Sequence, residues 1–292
     1  MPVIKNIVFS GGGPSFFQTL GAIQYLEENK FLDINNIEAI YGTSAGSVMG
    51  VMLCFKYDWE TLNNYLLNRP WHVVFPVKLN NIIEAYERRG MFDVTHIKRV
   101  FEPLFNAKSI SLDITLEEFY QFCKIDLHFL VFDVNQYKVN DISHMTYPNL
   151  SLMEAILMSV AIPVLFTPVF LEDKCLMDAG IAANYPLTHC LNDGKKEDEI
   201  LGFKNIYSSA KNSISTDSNL YDFLLTFFFK AVFSLSTDNI QPTIKYEVLC
   251  ETEYLTIQTL TTTLYNQETR VAYYNIGIDS AKKFLADLED RI

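Results

Sequence analysis

Ser44 has the sequence surroundings of a nucleophile. The segment YGTSAGSVMG (41–50) places it between Gly42 and Gly46, each two positions away. This GxSxG spacing is typical of a serine on a sharp strand-to-helix turn, where a Cβ two positions away would collide with adjacent backbone. The free N–H groups of a helix that begins at Ser44 would also favour a nearby oxyanion. The alternative is a serine that only caps this helix.

Three consecutive glycines, Gly11–Gly13, form a second candidate site. Backbone N–H groups of consecutive glycines can converge on an anion, either a phosphate or the tetrahedral intermediate of acyl transfer. The segment GGGPSFFQTLG lacks the Gly-Lys-Ser/Thr ending of a P-loop, and Phe16 stands where GxGxxG needs its third glycine. An oxyanion hole therefore fits better than a nucleotide site. Because Pro14 has no N–H, Gly12 and Gly13 are the expected donors.

A serine nucleophile needs a base, and the sequence offers two kinds. The order Ser44, Asp178, His189 is that of an α/β-hydrolase triad. His189, however, follows Asp178 by only eleven residues, in the predicted helix PLTHCL, which favours a structural role. Asp178 lies in CLMDAGIAANYP, where the small residues after it would allow close contact with another loop. Its alternative role is that of an Asx-turn residue. The other histidines are His72, His96, His128 and His144.

The elements around these residues predict an α/β fold. Two strand–glycine–helix units follow each other, at 3–30 and at 37–56, which indicates parallel strands in a sheet covered by helices. A mainly helical region is expected next, at 59–122. The remaining predicted elements are two strands within 126–143, a helix at 151–163, a strand at 171–180, a Phe-rich helix at 221–235, a strand at 253–260 and a C-terminal helix to Ile292.

Composition limits the class of protein. The formal net charge of −12 argues against nucleic acid as a partner, because phosphate binding needs clustered Lys and Arg. The five cysteines are odd in number and show no CxxC spacing, which predicts reduced thiols and a cytoplasmic location. No apolar stretch reaches the roughly 18 residues of a membrane-spanning helix, and the N-terminus does not resemble a signal peptide. Without repeats or a long linker, we expect one domain over 1–292.

Taken together, the motifs resemble those of the patatin-like phospholipases, a family of lipid acyl hydrolases. The order is the same: a glycine-rich oxyanion loop, a GxSxG elbow and then an Asp-Gly-type motif. The intervening segments are also similar to the family's, and they are RRGMFDVTHIKRVFEPLF (88–105), LVFDVNQYKV (130–139), SVAIPVLFTPV (159–169) and DAGIAANYP (178–186). The resemblance covers residues 3–190, and 191–292 would complete the same domain.

This resemblance implies a three-layer α/β/α fold with a mainly parallel central sheet. It also implies phospholipase A-type cleavage of phospholipid esters through an acyl-enzyme on Ser44, with Asp178 as the single general base and no histidine. Gly12 and Gly13 would hold the oxyanion. The glycines expected to support the motifs are Gly11, Gly42, Gly46 and Gly180. No metal and no cofactor is required.

Three departures from the family pattern support an alternative, a catalytically weak or inactive lipid-binding protein of the same fold. Ser15 stands where the family often has a basic residue, and Phe16 replaces the next glycine. Both changes could reshape the oxyanion loop. In the acidic motif, Ala179 stands where glycine is usual, which is a small change.

A lipid hydrolase needs an apolar channel and access to a membrane or micelle. Two aromatic segments are candidates for these roles: RPWHVVFPVK (69–78), with Trp71 and Phe75, and YDFLLTFFFKAVFSL (221–235). Ordinary core packing is the alternative for both. A lipid substrate predicts peripheral association with membranes, and the sequence leaves the oligomeric state open.

Overall fold

The computed structural model describes residues 2–77, 85–207 and 242–290, and scattered residues between 214 and 230. Within them the strands are β1 (Asn6–Phe9), β2 (Ala39–Thr43), β3 (Gly90–Phe92), β4 (Asp126–Asp133), β5 (Lys138–Ile142), β6 (Val164–Phe166), β7 (Val169–Leu171), β8 (Lys174–Asp178), β9 (Ile200–Tyr207) and β10 (Glu247–Thr252). The helices are α1 (Phe16–Glu28), α2 (Ala45–Cys54), α3 (Trp59–Asn68), α4 (Trp71–Val74), α5 (Val94–Ala107), α6 (Leu116–Cys123), α7 (Leu152–Val160), α8 (Leu187–Asn192), α9 (Ile257–Tyr265) and α10 (Gln267–Glu289).

A mixed sheet forms the centre of the fold, with strand order β10-β9-β1-β2-β4-β8-β7 and β5 on β4. The five strands from β10 to β4 are parallel, and β5, β8 and β7 add antiparallel pairings at the β4 side. Strands β3 and β6 form a separate small pair. Parallel strands β1 and β2 are joined by α1, as the two strand–glycine–helix units predict.

Strands β2 and β8 meet end to end along one edge of β4. Strand β5 occupies the opposite edge, so β2 pairs with the first five residues of β4 and β8 with the last three. Thr43, the last residue of β2, lies opposite Leu130, and Asp178, the last residue of β8, lies opposite Val131. Because the two strands run towards each other, their carboxyl ends meet. This pairing brings the Ser44 turn next to Asp178.

Side chains alternate between the two faces of the sheet. Ile7, Phe9 and Ile40 belong to the larger core, which also contains residues of α1, α2, α7 and α10. Val8 and Tyr41 face the other side, where they pack with residues of α8. Helices therefore cover both faces, and the three-layer α/β/α prediction is confirmed.

Helix α10 packs directly on α1, the helix that follows the glycine loop. A Cβ at Gly21 would lie 2.0 Å from the carbonyl oxygen of Tyr274, and one at Gly277 would lie 1.8 Å from that of Gln18. The two helices therefore touch backbone to backbone at their glycines. The C-terminal part of the chain thus supports the element on which the glycine loop rests.

Most predicted elements are present, with two exceptions in the described residues. The predicted strand at 253–260 is wrong: the strand lies earlier, in β10, and α9 begins at Ile257. Thr256 caps α9, since its hydroxyl accepts from Thr259 N at 3.0 Å. The predicted strand at 171–180 is a hairpin of β7 and β8. The Phe-rich segment at 221–235 falls largely outside the described residues. Across the described part of the chain, every helix is too short or too polar to cross a bilayer.

Candidate active site

Ser44 occupies the turn between β2 and α2 in a strained backbone conformation. Its φ of 55° and ψ of −125° lie in a region that non-glycine residues rarely adopt. Its side chain makes no hydrogen bond to the first turn of α2, so it does not act as a cap. The strain is what a nucleophile elbow requires, and the helix-cap alternative leaves it unexplained.

The two glycines around Ser44 are required by sterics. A Cβ at Gly42 would lie 2.6 Å from Ser47 N, and one at Gly46 would lie 2.6 Å from the carbonyl oxygen of Phe9. Both neighbours are backbone atoms of α2 and β1, which cannot shift without disrupting those elements. The collision predicted from the GxSxG spacing is therefore present on both sides.

Ser159 on α7 holds the elbow from behind. The N–H of Ser44 donates to Ser159 Oγ at 3.0 Å, and this hydroxyl lies 2.7 Å from Ser47 Oγ and donates to the Leu130 carbonyl at 3.2 Å. These groups are buried, so α2, α7 and β4 are tied together at the turn. No motif in the sequence marks Ser159. Its signal is a serine within the apolar helix predicted at 151–163, where a buried polar group needs partners.

Asp178 ends β8 and is 5% exposed. Its Oδ1 atom accepts from Gly180 N at 2.7 Å, which is the Asx-turn contact that the sequence offers as an alternative role. Its Oδ2 atom is buried and has no hydrogen-bond partner among the described residues. The turn therefore accounts for one carboxylate oxygen and leaves the other available.

Burial raises the pKa of the Asp178 carboxyl to about 6. The Ser44 hydroxyl acts in the opposite direction and lowers this pKa, as does the Gly180 N–H, because both stabilise the carboxylate. Ser44 is thus close enough to influence Asp178 although Oδ2 has no hydrogen bond, and catalytic contacts often tighten only around substrate. A carboxyl with this pKa is a stronger base than one in water, near 3.9, and is mostly ionised at pH 7.

The glycine loop offers free donors beside these two side chains. Within the described residues, the N–H groups of Gly12 and Gly13 donate to no protein acceptor. Gly12 precedes a short 3₁₀ helix and Gly13 is its first residue, and the first N–H groups of such a helix have no partner inside it. Gly13 has φ +53°, which favours glycine. The N–H of Ala45, at the first position of α2, is a further donor that the sequence analysis missed.

The carbonyl of Gly11 is held by three side chains. It accepts from Asn184 Nδ2 at 3.2 Å, from Asn205 Nδ2 at 2.9 Å and from the Tyr207 hydroxyl at 3.0 Å. Asn205 and Tyr207 lie on β9, which continues for four residues beyond its last pairing with β1 at Phe203. Neither residue could be predicted from the sequence, because no motif marks the C-terminal third of the chain.

Two cavities meet at Ser44. The smaller one, of about 30 Å³, contains Asp178, Gly12 and Gly13 in its wall. The larger one, of about 200 Å³, has walls of almost entirely apolar side chains. Its aromatic lining residues are Phe16, Phe17, Trp71, Phe75, Phe101 and Phe166. Ser44 therefore lies between a carboxylate and a pocket suited to hydrocarbon.

Two residues of the aromatic segment predicted at 69–78, Trp71 and Phe75, line this pocket. Trp71 lies on the short helix α4, is 6% exposed and donates from Nε1 to the Leu66 carbonyl at 2.7 Å. Phe75 packs edge-on against Phe92. Trp71 and Phe75 thus pack against the core and also line the cavity.

The departures at Ser15 and Phe16 have defined surroundings. Ser15 Oγ accepts from Asn205 Nδ2 at 2.8 Å, so Ser15 extends the contacts that hold the loop. Phe16 lines the apolar cavity. Ala179 is fully buried next to Asp178.

The histidines lie elsewhere. All five are within the described residues, and none lines either cavity at Ser44. His189 is half-buried, and burial lowers its pKa; the charged groups near it are Asp141, Asp193 and His128. The structure therefore does not bring His189 to Ser44, and a Ser-His-Asp arrangement is absent from the described chain.

A second polar cluster surrounds His128 on the α8 face of the sheet. Its ring nitrogens lie 3.1 Å from Asp126 Oδ2 and 2.7 Å from Asp141 Oδ2. Although burial alone would lower the pKa of His128, the two carboxylates raise it to about 9. His128, Asp141 and Asp193 could together offer ligand atoms to a metal ion. Binding of a metal there would have to displace the imidazole proton, because a ligating histidine is neutral.

An α/β fold with a strained elbow serine beside an apolar cavity is typical of hydrolases that cleave esters with apolar acyl groups. The model of one such family, described as patatin-like phospholipase, matches residues 7–191, which is more than half of the chain. The chain therefore belongs to the patatin-like phospholipase family, and it is a lipid hydrolase by class.

Two viral relatives and one bacterial structure are similar to the chain. An uncharacterized protein, R571 of Acanthamoeba polyphaga mimivirus, is 24% identical over 76% of this chain and 74% of its own length. The probable lipid hydrolase 463L of Invertebrate iridescent virus 6 is 25% identical over 72% and 73%. The crystal structure of VipD from Legionella pneumophila has a TM-score of 0.58 at 19% identity, covering 98% of this chain and 67% of VipD. This last similarity shows the shared fold.

Proposed function

We propose that the protein is a phospholipase A-type acyl hydrolase that cleaves carboxylic esters of phospholipids. Ser44 is the nucleophile, Asp178 is the general base, and neither a histidine nor a metal takes part. The observation that carries this proposal is the meeting of β2 and β8 on β4, which brings Ser44 next to a buried oxygen of Asp178 that accepts no hydrogen bond from the described residues.

Acylation begins when Asp178 takes the proton of the Ser44 hydroxyl. An aspartate in water is too weak a base for this step, and burial supports it by raising the pKa of Asp178 to about 6. The strained elbow holds the hydroxyl out from the backbone, so that its oxygen can attack an ester carbonyl. The alcohol part of the lipid leaves with the proton that Asp178 carries.

The negative charge of the tetrahedral intermediate needs donors that are already in place. Gly12 and Gly13 line the same small cavity as Ser44, and their N–H groups donate to no acceptor within the described protein. The N-terminus of α2 adds its partial positive charge. Donors of this kind contribute about 10²–10³-fold each to the rate in serine hydrolases.

Deacylation repeats the same steps with water. Asp178 takes a proton from a water molecule, which attacks the acyl-enzyme and releases a fatty acid from Ser44. The acyl chain is proposed to lie in the apolar cavity, whose volume is about 200 Å³. The apolar side chains that line this cavity support an ester with a hydrocarbon acyl chain over an ester with a polar acyl group.

The test measures fatty acid release from vesicles and micelles of phospholipids, lysophospholipids and triacylglycerol, with fluorophosphonate labelling in parallel. We expect the wild-type protein to react with the probe and to release fatty acid from phospholipid. Ser44→Ala should abolish labelling and lower turnover by at least about 10⁴-fold. Ser280→Ala, on α10, is the matched control and should behave as wild type.

Two results would contradict the proposal. Labelling that survives in Ser44→Ala would identify another nucleophile. Vesicle binding that Ser44→Ala leaves unchanged, without any product at high protein concentration, would favour the alternative of a lipid-binding protein.

A further inference from the structure

The glycine loop has no side chains with which to hold itself in place. Glycine has the largest conformational freedom of any residue, so a run of three would sample many backbone states. An oxyanion hole accelerates a reaction only when its donors are oriented before the charge develops. The rigidity of Gly11–Gly13 must therefore come from other parts of the chain.

The contacts on Gly11 supply this rigidity. One carbonyl accepts from Asn184, Asn205 and Tyr207, at 3.2, 2.9 and 3.0 Å. A carbonyl oxygen has two lone pairs, so three side-chain donors exceed what hydrogen-bond satisfaction alone needs. Gly11 N also donates to the Asn184 carbonyl at 2.9 Å.

The geometry of the peptide bond transmits these contacts to the next residue. The carbonyl of Gly11 and the N–H of Gly12 belong to one planar trans peptide, and they point in opposite directions. Donors that fix the carbonyl therefore also fix the direction of the Gly12 N–H. Asn205 holds the far side of the loop as well, through its contact with Ser15 Oγ at 2.8 Å.

Strand β9 is suited to this task by its length and its periodicity. It extends past the end of β1, so its last residues run beside the loop. Asn205 and Tyr207 are two positions apart and thus project from the same face, whereas Ile206 between them is 42% exposed. Both lie outside residues 7–191, the part of the chain that matches the family model.

We propose that Asn205 and Tyr207 are positioning residues that hold the Gly11 carbonyl and thereby orient the Gly12 N–H towards the oxyanion. This inference rests on the proposed acyl hydrolase function. It assigns a part of that function to the C-terminal third of the chain, with Ser15 as a partner of Asn205.

The test uses Tyr207→Phe, which removes one hydroxyl and keeps the ring stacked on Tyr254, and Asn205→Leu, which removes the amide donor at similar volume. Ile206→Val is the matched control on the same strand. We expect kcat to fall about 5-fold in Tyr207→Phe, because its hydrogen bond to the Gly11 carbonyl contributes about 1 kcal/mol. The fall should be larger in Asn205→Leu, which loses contacts with both Gly11 and Ser15. KM should be unchanged in both variants. Ile206→Val should match wild type.

Two further readouts separate positioning from a general structural effect. A trifluoromethyl ketone, which forms an oxyanion on the serine, should bind more weakly by the same factor as kcat falls. Fatty acid binding in the apolar cavity should not change. In ¹⁵N relaxation measurements, the order parameters of the Gly12 and Gly13 amides should decrease in both variants and stay unchanged in Ile206→Val.

Unchanged Gly12 and Gly13 order parameters in both variants would overturn this inference, as would a loss of activity that appears only in KM. These results differ from a failure of the proposed function. If wild type releases no fatty acid but the two order parameters still fall in the variants, the function is wrong and the hold on the loop stands.

Discussion

Strand β4 contacts two polar clusters, one towards each end. At its carboxyl end, Val131 lies opposite Asp178, whose Oδ2 atom has no hydrogen-bond partner among the described residues. Three residues earlier, His128 lies between Asp126 and Asp141, with both ring nitrogens next to a carboxylate. The first cluster leaves a charge largely uncompensated, and the second surrounds a charge with opposite ones.

The pKa values follow from this difference. Burial dominates at Asp178 and raises its pKa to about 6, which makes the ionised form costly. Carboxylates dominate at His128 and raise its pKa to about 9, which makes the ionised form favourable. A buried charge with few partners is poised for proton transfer, whereas a charge between two opposite charges is held in its ionised form. We therefore expect proton transfer at Asp178 and a structural role for His128.

The largest expected effect comes from removing the carboxylate of Asp178. Asp178→Asn has the same shape but cannot accept the Ser44 proton, so we expect turnover to fall by about 10³-fold or more. Asp141→Asn is the matched change in the other cluster and should retain turnover. Fatty acid release by both variants checks this, and equal losses would remove the distinction between the clusters.

The same two variants should change stability in opposite directions. At pH 7, burial of the ionised Asp178 carboxylate lowers the free energy of unfolding by about 3 kcal/mol. The reason is that its pKa is about 6 in the folded protein and about 3.8 in the unfolded chain. Asp178→Asn should therefore raise the free energy of unfolding. Asp141→Asn removes a partner of His128⁺, and we expect a loss of about 1–2 kcal/mol because Asp141 is partly exposed. Urea denaturation at pH 7 measures both, and a destabilised Asp178→Asn would contradict the comparison.

The pH dependence of stability should separate the clusters. The raised pKa of Asp178 favours its protonated form, so wild type loses stability relative to Asp178→Asn as pH rises from about 4 to 6. The raised pKa of His128 gives stability that is complete below about 6.5 and lost as pH rises through about 9. Melting temperatures of wild type, Asp178→Asn and His128→Gln across pH 4–10 test this. If Asp178 and His128 changed the melting temperature over the same pH range, the two clusters would be coupled.

The smallest expected effect is a decrease of kcat/KM at acidic pH. The base must be ionised, so kcat/KM should rise with pH and level off above a midpoint of about 6. His128→Gln should keep this midpoint, because His128 lines neither cavity at Ser44. Initial rates from pH 4.5 to 8 on a micellar ester provide the measurement. A midpoint that moves in His128→Gln would make that cluster part of the site.

Local sequence patterns predict much of the site. The elbow at Ser44 is a local constraint, since Gly42 and Gly46 are needed by contacts within or next to the turn. The strand–glycine–helix order around Gly11–Gly13 is local as well. One element with mixed signals was predicted wrongly: the β-branched residues at 253–260 predict a strand, but the Thr256 cap and the leucines at helical spacing form α9.

The sequence alone determined the residue types that can do the chemistry, the order of their motifs and the turns that carry them, because these depend on contacts within a few residues. Only the tertiary structure decided which residues share a site. It set Asp178 against the Ser44 turn through a common partner strand, and it placed His189 with His128 instead. It also brought Asn205 and Tyr207 to Gly11 across almost two hundred positions. Strand pairing over such separations leaves no local pattern, since it depends on how the whole sheet is assembled.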